Sequence, residues 1–304
     1  MKILESFLLS VLLLAACSFH KDEKEKADSP FEGTIHISVD ESFRPVIVQQ
    51  LEMYKNTYPN TTIIADFKPE AACIKDLFKD SAIQMIVVTR GLTPKEEKYF
   101  SDSLNYSPGW QQVATDAIVI IVNKSSNDTL FTFDGLKDQL TGVNRKNVIV
   151  FDGLSATSTY RFVKDSILRG RPIDSTVVKA AHNSSEVIEY IANHPEAIGF
   201  IGISWIGNPE DTAQLRLLNT VKIARVQCEV CEGKPYVKPI SESIMTRRYP
   251  LVRGLFYIKK ENYTGLASGF SNFLRNERGQ LIFRRAYLGP VMDFDIRRIK
   301  INIK

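Results

Sequence analysis

From Thr34 onward the chain alternates short apolar runs with amphipathic stretches, and this alternation narrows the possible folds more than any other feature of the sequence. Ile35 to Val39 reads as a strand, followed by a helix from Arg44 to Tyr58 with Ile47, Val48, Leu51 and Tyr54 on one face. A strand near Thr61 to Phe67, a helix near Ala71 to Lys79 and a strand near Ala82 to Thr89 come next. Such a β-α-β-α-β series fits a parallel sheet, because parallel neighbours need a crossover, usually a helix, that covers the sheet face. A helix with Pro94 in its first turn precedes Ala117 to Val122, whose sequence AIVIIV suits a strand buried on both faces. The rhythm then restarts with a strand at Asn147 to Phe151, a helix at Ser158 to Leu168, a strand at Thr176 to Ala180, a helix at Ser184 to Asn193 and a strand at Ala197 to Ile201. Two α/β units in series imply two lobes. The helices expected at Thr264 to Arg275 and Gly279 to Tyr287 have no sheet near them in sequence and are expected to return to the first lobe.

Ahead of the lobes, Lys2 and an apolar run from Phe7 to Ala16 lead to Cys17. The run is too short to span a bilayer and has the layout of a secretory signal. Leu14, Ala15, Ala16 and Cys17 resemble the bacterial lipobox, which makes 1–16 the signal and Cys17 the lipidated first residue of the mature chain. An ordinary signal peptide would instead leave an unpaired thiol in an oxidising compartment. Residues 17–30 are charged and poor in apolar groups, as expected of a flexible tether. The protein is therefore expected to be exported and lipid-anchored, facing the periplasm. Lys21, Asp22 and Glu23 resemble the export tag of Bacteroidota surface lipoproteins, which leaves the outer membrane or cell surface open.

The remaining chain, roughly 275 residues, suffices for one large domain or two lobes. A formal net charge of +4 without a basic run gives no basis for nucleic-acid binding. Cys228 and Cys231 form a C-x-x-C that follows a strand-like run rather than opening a helix, which favours a local disulfide or idle thiols over a redox centre. His20, His36, His182 and His194 show no metal spacing, so neither a metal nor a cofactor is expected.

In parallel α/β sheets, ligands sit where strands lead into helix N-termini, whose free N–H groups favour anions. Three such joints carry suitable side chains. In SVDESFRP, Ser42 is placed as an N-cap beside Phe43. Two loops offer Glu70, and Thr89 with Arg90; an arginine at the end of a buried strand calls for a partner, either Glu70 or an anion. FDGLSATSTYRF places Asp152, Ser155, Thr157, Ser158 and Thr159 at a helix entrance, more hydroxyls than one cap requires.

The order of these fragments resembles the PstS-like phosphate-binding proteins of ABC transporters, a group with the two-lobed periplasmic-binding type II fold. Ser155-Ala156-Thr157 is similar to the family's Ser-Gly-Thr phosphate loop, and Ala197-Ile198-Gly199-Phe200 to its Ile-Gly-Tyr strand. Tyr249-Pro250-Leu251 and Phe273-Leu274 followed by Gly279-Gln280 match later family segments. The resemblance implies two α/β lobes, each a mainly parallel sheet covered by helices, joined by a two-strand hinge. Lobe 1 would comprise 31–115 and 235–304, and lobe 2 would comprise 116–234. It further implies a phosphate or related tetrahedral oxyanion held by Ser42, Phe43, Glu70, Thr89, Arg90, Ser155, Ala156 and Thr157. The implied protein is a monomer that serves an ABC permease and is no enzyme. Two departures stand out: Arg90 falls where the family has an aspartate, and Phe151 where it has an arginine. A relocated Glu70–Arg90 pair would keep one carboxylate and one guanidinium at the anion. The alternative is a surface or sensory lipoprotein that uses the same fold for protein contact.

Overall fold

The computed structural model describes residues 28–292. The signal, Cys17 and residues 17–27 of the expected tether lie outside the described residues. The tether's last residues, Asp28–Pro30, are fixed against the body: Asp28 accepts from the Tyr263 hydroxyl and the Leu266 amide, and the Pro30 carbonyl accepts from the Tyr54 hydroxyl.

The first half runs β1 (Gly33–Asp40), α1 (Arg44–Thr57), β2 (Thr61–Lys68), α2 (Glu70–Lys79), β3 (Ile83–Val88), α3 (Pro94–Leu104) and β4 (Gly109–Asn123). The second continues with β5 (Leu130–Phe131), α4 (Phe133–Leu140), β6 (Val148–Phe151), α5 (Ser158–Leu168), β7 (Val178–Ala180), α6 (Ser184–Asn193) and β8 (Ala197–Gly202). After α7 (Thr212–Leu217) come β9 (Val221–Ile223), β10 (Arg225–Gln227), β11 (Tyr236–Val237) and α8 (Ser241–Met245). The chain closes with β12 (Val252–Lys259), α9 (Leu266–Arg275), α10 (Glu277–Arg285) and β13 (Gly289–Pro290).

The main sheet has the order β2-β1-β3-β12-β4-β8-β6-β7, with β9 and β13 also on β4. The expected β-α-β units are parallel, β1 to β2 and β3, and β6 to β7 and β8. Strand β12, which no strand expected from the sequence covers, enters antiparallel between β3 and β4 and gives the returning segment its place in the first sheet. Strand β4 joins the halves. Its residues up to Ala117 pair with β12, and from Ile118 on they pair with β8. The chain returns beside this point, where the Ile118 amide donates to the Leu251 carbonyl at 2.9 Å and the buried Tyr249 hydroxyl donates to the Ile118 carbonyl at 2.9 Å. The apolar run 117–122 is fully buried, as its composition requires. A second cluster around Cys73, Leu77, Ile86 and Phe100 packs α2 and α3 under the first sheet.

Helix starts follow local chemistry. Thr93 and Glu96 form a capping box with Pro94 at the first helical position of α3, while Thr157 and Asn183 cap α5 and α6. The C-x-x-C lies between β10 and β11, and Cys228 and Cys231 are joined in a disulfide whose Cα atoms are 5.5 Å apart.

Candidate functional site

The carboxyl ends of β1, β3, β6 and β8 and the N-termini of α2, α5 and α6 converge between the halves, and the buried polar side chains gather there. Ser42 follows β1 in a short 3-10 turn whose start is capped by Asp40, so Ser42 is not the cap expected of it. Its hydroxyl instead crosses to the other half, 3.2 Å from Ser158 Oγ and 3.3 Å from Thr159 Oγ1. Ser158 and Thr159 are the first two residues of α5, a position where backbone N–H groups are also unpaired within the helix.

Arg253 on β12 supplies the buried cation. Its Nε donates to Asp116 Oδ2 at 2.7 Å, its Nη1 to Ser158 Oγ at 2.9 Å, and its guanidinium lies 5.0 Å from the centre of the Phe43 ring. Asp152, at the end of β6, accepts from Thr159 at 2.9 Å and Ser184 at 3.2 Å; Ser184 also lies 3.1 Å from Glu41 across the cleft. Burial pushes the Asp40 and Glu41 carboxyls up to about 7; Arg253 opposes the rise at Asp40, and the charge of Asp152 adds to it at Glu41. Asp116 and Asp152 are raised by burial as well, against the pull of Arg253. A cavity of about 180 Å³ opens onto this centre, walled by Asp40, Glu41, Asp152 and Thr157 together with Arg44, Lys68, His182 and Asn183.

Several buried polar atoms here have no hydrogen-bond partner: Arg253 Nη2 on the donor side, and Asp40 Oδ2, Glu41 Oε1, Asp116 Oδ1 and Asp152 Oδ1 on the acceptor side. Such atoms are uncommon in folded proteins, and each calls for a partner such as a water, an ion or a ligand. A ligand that both accepts and donates hydrogen bonds suits this set.

The structure gathers only part of the expected set. Ser42 and Phe43 are buried at the centre, and Thr157 lines the cavity while capping α5. Ser155 and Ala156 lie exposed on the loop, so the hydroxyls facing Ser42 are those of Ser158 and Thr159, three residues further on. Arg90 does not pair with Glu70. It forms two bonds to Glu96, at 2.7 and 2.8 Å, and thereby supports the capping box of α3. The partner of Glu70 is Arg161 of α5, whose Nε donates to Oε2 at 2.8 Å, while Thr89 donates to Oε1 from both its amide and its hydroxyl. Phe151 stacks on Phe200 in the core, with ring centres 5.1 Å apart. The sequence did offer a signal for Arg253 and Asp116: Asp116 directly precedes the apolar run 117–122 and Arg253 lies between Val252 and Leu255, and a charge beside buried apolar residues needs a partner of opposite sign.

Two α/β halves that share a strand and enclose polar groups between them have the architecture of the type II periplasmic-binding fold. The chain belongs to the PBP superfamily, whose domain matches residues 24–278. It is 23% identical over 303 residues to the phosphate-binding protein PstS of Borreliella burgdorferi, with 93% of this chain and 96% of the relative covered. Among solved structures, it is similar to a putative phosphate ABC transporter substrate-binding protein with bound phosphate from Clostridium perfringens. That likeness has a TM-score of 0.67 and 19% identity, over 86% of this chain and 100% of the other. An ABC-type phosphate transport receptor from Vibrio cholerae matches with a TM-score of 0.60 and 19% identity, over 84% and 99% of the two chains.

Proposed function

We propose that the protein is an extracytoplasmic binding protein that closes its two lobes around protonated phosphate and delivers it to an ABC permease. The observation that carries this reading is the coexistence, in one buried centre, of an unpartnered guanidinium nitrogen and unpartnered carboxylate oxygens among the hydroxyls of Ser42, Ser158 and Thr159. Phosphate near neutral pH brings oxygens that accept from Arg253 and the hydroxyls, and at least one P–OH that donates to a carboxylate. Sulfate brings no proton, so it would leave the carboxylates unsatisfied and face their charge. The names of the phosphate-binding relatives support the same choice, and they favour uptake over a surface or sensory role.

The ligand groups in this reading are Ser42, Phe43, Thr157, Ser158, Thr159 and Arg253, with Asp40 and Asp152 accepting protons. In this reading the lobes join near Ala117–Ile118 and Leu251–Val252, which would move the return crossing from residue 235 to about 251. The reading includes a binder rather than an enzyme, monomeric, with 1–16 as signal and the lipid on Cys17. Among the described residues no helix is long and apolar enough to cross a membrane. Isothermal titration of the dialysed protein with phosphate and with sulfate tests the proposal. Saturable heat with phosphate alone is the expected result, and equal responses to both anions, or none to phosphate, would overturn it.

A further inference from the structure

We propose that Arg161 and Glu70 form a latch that holds the two lobes together without touching the ligand, which makes Arg161 a positioning residue for ligand capture. The latch builds on the reading of the chain as a lobe-closing binder, but its contacts are independent of which anion is bound.

Glu70 opens α2 in the first lobe and is buried, at 4% exposure, while Arg161 sits in the first turn of α5 in the second. The Arg161 Nε donates to Glu70 Oε2 at 2.8 Å, and its Nη2 donates to Thr89 Oγ1 at 2.6 Å. Thr89 at the end of β3 in turn donates to Glu70 Oε1. One guanidinium of one lobe thus engages two residues of the other. A backbone bond runs alongside, from the Ala71 amide to the Ala156 carbonyl at 3.1 Å. Asp165, one turn further along α5, lies 3.7 Å from Arg161 Nη1 and helps to aim it. Burial alone would raise the Glu70 carboxyl, but the bonds and charge of Arg161, with the bonds from Thr89, hold it below the ordinary range.

The side chains of Glu70, Thr89 and Arg161 bond to one another and not to Ser42, Ser158, Thr159 or Arg253, and the 180 Å³ cavity is walled instead by Asp40, Asp152 and Thr157. Their position is that of a clasp beside the site. The same first turn of α5 carries Ser158 and Thr159, so the helix start that meets the ligand also brings Arg161 to Glu70. Opening the lobes would return both charges to water. The latch therefore sets how much of the unliganded protein is already closed, and the apparent dissociation constant scales inversely with that fraction.

The test is small-angle scattering of the whole mature protein without ligand, comparing wild type with Arg161→Met, Glu70→Gln and the double variant. The unliganded single variants should have a larger radius of gyration than wild type, and the double variant should match the singles, because one contact is removed in each. Thermal midpoints near that of wild type would show that all three fold. With phosphate as the probe, the variants should contract and bind on the order of tenfold more weakly. Unchanged radii in the unliganded variants would overturn the latch, whatever their affinity. Weaker phosphate binding by Glu70→Gln with an unchanged radius, while Arg161→Met binds normally, would make Glu70 a ligand group instead. Should wild type not respond to phosphate, the ligand-free comparison still decides the latch, and only the proposed function fails.

Discussion

At the scale of single residues, the buried centre distinguishes side chains that neighbouring sequence positions do not. Ser158 receives a bond from Arg253 and faces Ser42, whereas Ser155 is exposed on the loop before α5. Ser158→Ala should weaken phosphate binding roughly ten- to hundredfold, since a hydrogen bond involving a charged group is worth roughly 1.5–3 kcal/mol. Ser155→Ala should bind like wild type, and titration calorimetry on the pair checks both. Arg253 and Asp116 make a sharper case, because both side chains are almost fully buried, at 3% and 0% exposure. Arg253→Met strands a buried carboxylate and should lose about 3–5 kcal/mol of stability in urea unfolding. Arg253→Met combined with Asp116→Leu should regain most of that loss while remaining unable to bind phosphate. The sequence made the first joint legible, since Ser42 and Phe43 lie where a strand must turn into a helix. It placed Ser158 and Thr159 in the hydroxyl cluster without singling them out, and the resemblance pointed to Ser155, Ala156 and Thr157, because five hydroxyl or small residues in a row carry no mark of which one caps the helix. The cap is Thr157, and only the positions after it reach Ser42.

At the scale of elements, the parallel units were legible because each needs a continuous apolar strand and a periodic helix, patterns that a short window of sequence contains. β12 was not, since VRGLFYIK places an arginine and a glycine inside the run, and its partners β3 and β4 are distant in sequence. The early part of β4 was missed for a similar reason: GWQQVATD lies partly at the surface and alternates only weakly. Arg90 was misread because a charge at a strand end suggests a ligand, whereas here it braces the next helix start. The end of β8 offers a test of how closely the lobes approach. A Cβ on Gly202 would lie 3.1 Å from the Ser42 carbonyl oxygen and 3.6 Å from Arg253 Nη2. Gly202→Ala should therefore hinder closure and weaken phosphate binding severalfold, with the thermal midpoint of the ligand-free protein little changed. Affinity equal to wild type would mean that the lobes need not meet this tightly.

At the scale of the whole molecule, closing two lobes over a cluster of acids ties stability to pH. Asp40 and Glu41 move from ordinary values of 3.8 and 4.5 up to about 7, chiefly through burial, and Asp116 and Asp152 shift in the same direction. Between about pH 4 and 7 the folded protein therefore binds more protons than the unfolded chain, so stability falls as pH rises through that window and levels off above it. Glu70, Asp76 and Glu96 are shifted the other way, and their contribution is lost as pH falls below the ordinary carboxylate range. The ligand-free protein should thus melt several degrees higher at pH 5 than at pH 8. Phosphate should narrow that gap, because its P–OH groups and its partnership with Arg253 compensate the ionised carboxylates when the solvent no longer protonates them. Calorimetric melting at both pH values, with and without phosphate, reads out both effects. A midpoint that rises from pH 5 to pH 8 without ligand would mean that Asp40 and Glu41 ionise in the folded state as readily as in the unfolded one.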